Sequence, residues 1–307
     1  MNLASFIYTA LVILQVGIIV TGGAVRLTGS GLGCPTWPQC VGGSIAPVAH
    51  QAQGKLHSWI EFGNRLLTVL LFIAIVAAVI GAFRWGKGRG DWKLIRLLAL
   101  TQIVGILAQI LLGGVTVLTK LNPFTVSAHF LLSIALIPPT LSLRERIFAK
   151  ARTEVLPTTR TLIRILTALS LIVITLGTLV TGSGPHAGDI AAKRYHLDPR
   201  MISWLHADSV IALIGLTIAL LLVIKVSEPQ SVQSFIGGKV LLFLALCLSQ
   251  GLIGYIQYFT HLPEALVAAH LLGAGLIWLT IWNIGFKSQA FSRRSLVTNT
   301  GSSQKID

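Results

Sequence analysis

Acidic side chains are scarce in this sequence: Asp and Glu together number 10 in 307 residues, and charged residues of both signs make up only 11%. A soluble domain carries roughly a quarter charged residues, so a complement this thin excludes a surface that faces water all round. Cysteine is equally sparse, with Cys34, Cys40 and Cys247 alone. Three thiols exclude a disulfide-rich scaffold and a four-cysteine zinc site. Also missing is the alternation of polar and apolar positions that marks an outer-membrane barrel. What fills the chain is hydrophobic, at 53% of residues with a mean hydropathy of +0.78.

The apolar content gathers in eight runs, at 5–25, 58–83, 95–118, 124–143, 161–182, 201–224, 236–258 and 264–285. Each approaches the roughly 20 residues that cross a hydrocarbon core at about 1.5 Å per residue. The sequence predicts an all-α integral membrane protein with eight transmembrane helices, in contact with membrane lipid. Its first run lacks a basic n-region and is too long for a cleaved signal peptide, so it reads as helix one.

A net charge of +14 would suggest a nucleic-acid partner in a soluble protein. Its placement excludes that reading. With a cytoplasmic N-terminus, 17 of the 24 basic residues fall in inner loops and the tail, among them Arg84, Arg89, Arg144, Arg146, Arg160, Arg164, Lys287 and Lys305. The positive-inside rule then puts both termini in the cytoplasm, which in a bacterial host means a plasma-membrane protein. Loops 26–56 and 183–200 face outward and carry Gly, Pro and His, whereas 119–123 and 259–263 are tight connections. Any cap over a site belongs on the outer side.

The stretch VTGGAVRLTGSG after the first run returns as LVTGSGPHAGD after the fifth. Such an echo predicts two pseudo-symmetric four-helix bundles, related by an axis along the membrane normal. The expected divisions are an N-terminal bundle at 1–145, a cytoplasmic linker at 146–160, a C-terminal bundle at 161–285 and a disordered cytoplasmic tail at 286–307, rich in Ser, Thr and Gln.

Eight histidines are present, and four occupy equivalent places: His57, His129, His206 and His270 open helices two, four, six and eight, all entered from the outer side. The others, His50, His186, His196 and His261, fall in loops. An imidazole inside a membrane needs a partner, and a lone one is satisfied by a neighbouring helix. Four at matched depth on alternate helices suggest more, because two imidazoles on facing helices of a bundle can clamp a haem iron from both sides. His206 and His270 are 64 positions apart, and counting back 65 from His129 lands on Asn64 rather than on a histidine. His57 shares a stripe of helix two with Glu61 and Asn64, since seven residues make almost two turns.

Glu61 is a carboxyl group inside an apolar helix, which marks it as functional unless Arg65, at i+4, simply pairs with it. Asp208, beside His206, reads as a structural partner. Arg26 and Arg65, at the outer interface, could neutralise haem propionates or serve as ion-pair partners. Cys34 and Cys40 could close a disulfide in an oxidising compartment or remain two loop thiols, and they lack a recognisable zinc spacing. Cys247 reads as a small buried apolar residue.

Taken together, VTGGAVRLTGSGLGCPTWPQC, HSWIEFGNRLLT, SAHFLLS, VTGSGPHAGD, LHADSV and AAHLLGAG resemble the heme A synthase family, in order and over nearly the whole chain. The resemblance implies an oxidoreductase that converts the C8 methyl group of heme O to a formyl group through a hydroxylated intermediate, giving heme A for cytochrome c oxidase. It implies a heme b held by His206 and His270 in the C-terminal half. The N-terminal half would hold the substrate haem through His129, with Glu61 essential and Cys34 joined to Cys40 as a disulfide. The family's E-x-x-H-R motif is matched by Glu61 and Arg65, but Asn64 stands where its histidine belongs. Either His57 replaces that ligand, the reading favoured here, or His129 holds the iron alone. Heme O synthase and an electron donor are the implied partners, and a homo-oligomer is possible. A di-haem b-type electron-transfer protein and a non-catalytic haem carrier are the rivals. The first conflicts with four histidines at one membrane surface, and the second leaves Glu61 without a task.

Overall fold

The computed structural model describes residues 3–49, 51–148, 151–190 and 192–291. It contains eight helices: α1 (Leu3–Leu27), α2 (Lys55–Gly86), α3 (Trp92–Leu118), α4 (Pro123–Ile147), α5 (Pro157–Ser183), α6 (Pro199–Ser227), α7 (Gln230–Phe259) and α8 (Glu264–Lys287). All eight are long and apolar enough to cross a membrane. Among the described residues there is no strand, only an isolated bridge between Val41 and Ser44. A lipid-embedded backbone must satisfy its own polar groups, and helices do so within one segment.

The helices overrun the apolar runs by a few residues at most ends. α7 begins at Gln230 rather than 236, because QSVQS continues the helix in polar residues ahead of the apolar run. Proline in the first turn of α4, α5 and α6 fixes their starts, where its missing N–H costs nothing. Asn122 and Asp198 cap two of these by accepting from Phe124 N and from Arg200 and Met201 N. α8 runs through Lys287, and Phe291 packs against Trp282 with ring centroids 4.6 Å apart. The expected tail therefore starts later than 286, and its 292–307 portion lies outside the described residues, as does His50.

In the first half α1 touches α2, α2 touches α3, α3 touches α4 and α4 returns to α1; α5 to α8 make the same circuit. The halves meet where α8 lies against α1 and α4, and α4 against α5. Trp278 Nε1 donates to Ile134 O at 2.9 Å across that seam, and a continuous apolar cluster runs from Val16 and Ile137 through Leu166 and Phe243 to Ile281. A backbone detail repeats too. The connections between α3 and α4 and between α7 and α8 each place two successive residues at positive φ, Lys120 with Leu121 and His261 with Leu262. The N–H of Leu121 reaches Thr116 O and that of Leu262 reaches Gln257 O, both at 2.9 Å.

At one end of the helices the long loops interlock: Gly31 N donates to Gly188 O at 2.9 Å, and the Tyr195 hydroxyl donates to Pro123 O at 2.9 Å. At the opposite end Lys287 Nζ donates to Glu145 Oε2 at 2.7 Å, and Arg144 approaches Glu145 Oε1 at 3.2 Å.

Candidate haem-binding sites

His206 stands in the second turn of α6 and His270 in the second turn of α8. Their ring centroids are 6.3 Å apart. His206 Nδ1 lies 3.0 Å from Val173 O of α5. A carbonyl can only accept, so Nδ1 carries the hydrogen and Nε2 keeps its lone pair for a ligand. The Nδ1 of His270 is buried without a partner. The rings lie against glycines on the preceding helices: a Cβ on Gly177 of α5 would sit 3.4 Å from His206 Cε1, and one on Gly254 of α7 would sit 3.8 Å from His270 Cε1.

Whether these residues suit an iron porphyrin follows from the spacing. Two metal–imidazole bonds of about 2 Å, with the distance from ring nitrogen to ring centre added on each side, separate the centroids by roughly 6 Å. The observed separation matches. Among the described residues no group of three or more His, Cys, Asp or Glu could hold a bare metal ion, and two imidazoles suffice only when a porphyrin fills the other positions.

In the first half His129 of α4 repeats the pattern. Its ring abuts Gly113 of α3, where a Cβ would sit 3.3 Å from Cε1, and its Nδ1 is buried and unpartnered. Gln109 Nε2 donates to His129 O at 3.2 Å and to Ser133 Oγ at 2.7 Å, fixing that turn of the helix. Asn64 of α2 accepts at Oδ1 from the Thr21 hydroxyl of α1 at 2.9 Å. His57 is exposed at the start of α2, its Nδ1 3.0 Å from Ser30 Oγ.

Glu61 is buried, at 6% exposure. Its Oε1 accepts from Arg65 Nη2 at 2.6 Å and its Oε2 from the Cys34 N–H at 2.6 Å. Arg65 also donates to the carbonyls of Cys34 and Thr36, at 2.9 and 3.1 Å. Cys34 and Cys40 are joined by a disulfide and fully buried, so the carboxylate is seated on an oxidised loop through a backbone amide. The spacing of Glu61 and Arg65 announced their pairing; the bond to the Cys34 N–H had no sequence signal.

Arg26 is turned toward the second half, donating to His186 O and, at 2.7 Å, to Thr181 O. It lines a cavity of about 310 Å³ with His186, Asp189 and Arg194. Asp208 is exposed and forms no hydrogen bond or ion pair among the described residues, unlike the partner role expected of it. Cys247 is buried and free, as expected. Sequence reasoning did not find the backing glycines.

A family model described as a cytochrome oxidase assembly protein, COX15-CtaA, matches residues 5–208, more than half of the chain. Curated relatives named "Heme A synthase" include that of Geobacillus thermodenitrificans, 30% identical over 112 residues, and that of Geobacillus kaustophilus, 33% identical over 116 residues. Each alignment covers 36% of this chain and 32% of the relative. The protein of the same name from Listeria welshimeri is 32% identical over 130 residues, covering 42% of this chain and 40% of its own. The chain thus spans about a third of the length of the Geobacillus relatives it matches.

Proposed function

The chain belongs to the COX15-CtaA family of cytochrome oxidase assembly proteins, and from that premise we propose that it performs heme A synthesis, oxidising the C8 methyl group of heme O to a formyl group. Residues 1–145 would hold the substrate heme O through His129, and residues 161–285 would hold a resident heme b through His206 and His270. When bound, that heme b supplies one-electron chemistry. The observation that carries the reading is the His206–His270 pair, two imidazoles from alternate helices 6.3 Å apart.

The chain's own groups divide the remaining work. His206, tied through Nδ1 to Val173 O, presents Nε2 in a fixed orientation. Glu61, with both oxygens engaged, holds or passes a proton near the methyl group being oxidised, and Arg65 orients that carboxylate. Arg26 and Arg65, beside the outer loops, are the candidates to meet the propionates. A farnesylated substrate and product partition into lipid, which accounts for a membrane enzyme. The distribution of Lys and Arg supports cytoplasmic termini in a bacterial plasma membrane, with heme O synthase and an electron donor as partners and a homo-oligomer as one possible state.

The test is expression in a host that makes heme O, followed by chromatography of extracted haems. The expected result is the hydroxylated or formyl product, falling by about a hundredfold or more in Glu61→Ala, as loss of a proton-transfer group does, and unchanged in His196→Ala. A wild-type chain that binds haem and yields neither product would show a carrier instead.

A further inference from the structure

We propose that Asn64 occupies the place of the fourth iron ligand, facing the haem of the first half from the side opposite His129, so that this iron keeps one coordination position for a small exogenous ligand. This rests on the reading that the first half holds a haem.

The repeat within the fold identifies the position. His129 and His270 are separated by 141 residues, as are Gly113 and Gly254, and as are the two positive-φ turns that precede α4 and α8. Asn64 and His206 are separated by 142. On the partner helices, Gly17 leads Thr21-Gly22 in α1 as Gly177 leads Thr181-Gly182 in α5. Three of the four glycines so placed, Gly113, Gly177 and Gly254, meet an imidazole within 4 Å of where a Cβ would stand. At Gly17, the fourth, nothing lies within 4 Å. The ring that fills the equivalent space elsewhere is replaced by the shorter Asn64 side chain, anchored one turn along α1 on Thr21.

A carboxamide does not replace imidazole at iron, since its nitrogen has no available lone pair. It is suited to a different task. With Oδ1 held by the Thr21 hydroxyl, the Nδ2 group, which donates to nothing among the described residues, is left to offer a hydrogen bond to a diatomic molecule on the iron. His57 is poorly placed to intervene. It lies two turns further out, about 10.5 Å along the axis, is exposed, and is bound at Nδ1 to Ser30. Its carbonyl is packed against Gly33, where any side chain would collide with it.

The test uses the full chain, purified with its haems from a host making heme O, and carbon monoxide as the probe. One haem per chain is expected to give a high-spin ferric signal and, when reduced, a carbon monoxide spectrum. Asn64→His should make that haem low-spin and abolish carbon monoxide binding. Asn64→Leu should leave it high-spin and raise the C–O stretching frequency as the donor is lost, and His57→Ala should change neither. Two low-spin haems that ignore carbon monoxide in the wild type would overturn the inference while leaving the two-haem reading intact. So would a high-spin signal that appears only in His57→Ala, which would make His57 the ligand. A chain holding one haem, undisturbed by His129→Ala, would instead refute the first-half haem itself.

Discussion

Gly113, Gly177 and Gly254 serve by what they lack. Each faces an imidazole from the next helix with bare backbone, and the approach is tightest at Gly113, where a Cβ would stand 3.3 Å from His129 Cε1. At Gly177 a Cβ would make ordinary contact with His206 at 3.4 Å, so Gly177→Ala should retain haem. Gly177→Val adds two methyl groups aimed at the ring and should lower haem affinity by about ten- to hundredfold, the usual cost of disturbing a group that orients a ligand. Haem content per chain, measured after detergent purification, checks this. The histidines were legible in the sequence because polar rings in apolar helices stand out and their spacing counts. Their glycine supports were not, since glycine is common in membrane helices and nothing local says which face it presents. Asn64 could be recognised by counting, whereas the empty space beside Gly17 belongs to the fold.

Among the elements, α4 and α8 meet at the seam where the two halves join. At the end away from the long loops Glu145, 2% exposed, is held by Lys287 and Arg144. The basic residues of this group were predicted as part of the inner positive charge, but their carboxylate partner was not: Glu145 and Lys287 are 142 positions apart, and only the meeting of α4 with α8 brings them together. Removing one partner strands the other in a buried site. Glu145→Ala should therefore cost about 3–5 kcal/mol, and Glu145→Met with Lys287→Met should recover most of it. Thermal midpoints in one detergent, read for both variants against wild type, decide the matter. Helix positions followed from apolar runs alone; helix ends did not, because polar residues such as those opening α7 extend a helix past its apolar run without any change in periodicity.

For the whole molecule, eight helices long enough to cross a membrane and the distribution of Lys and Arg carry the proposal that both ends lie on the cytoplasmic side. A fluorescent protein fused after residue 307 should fold and fluoresce in a bacterial cytoplasm, and alkaline phosphatase fused within loop 28–54 should be active; the reverse pattern would invert the orientation. The recurrence of one phrase in the sequence was enough to suspect duplication, while the seam between the halves was invisible there, because it joins residues as distant as Ile134 and Trp278. One consequence concerns how the protein is made. Glu61 takes part of its grip from the amide of Cys34, inside a loop closed by a covalent bond between two sulfurs. On the function and orientation proposed above, which put that loop outside, a newly synthesised copy stays incomplete until export and thiol oxidation have both happened, and a half-inserted chain lacks the finished seat of the carboxylate that turnover would use.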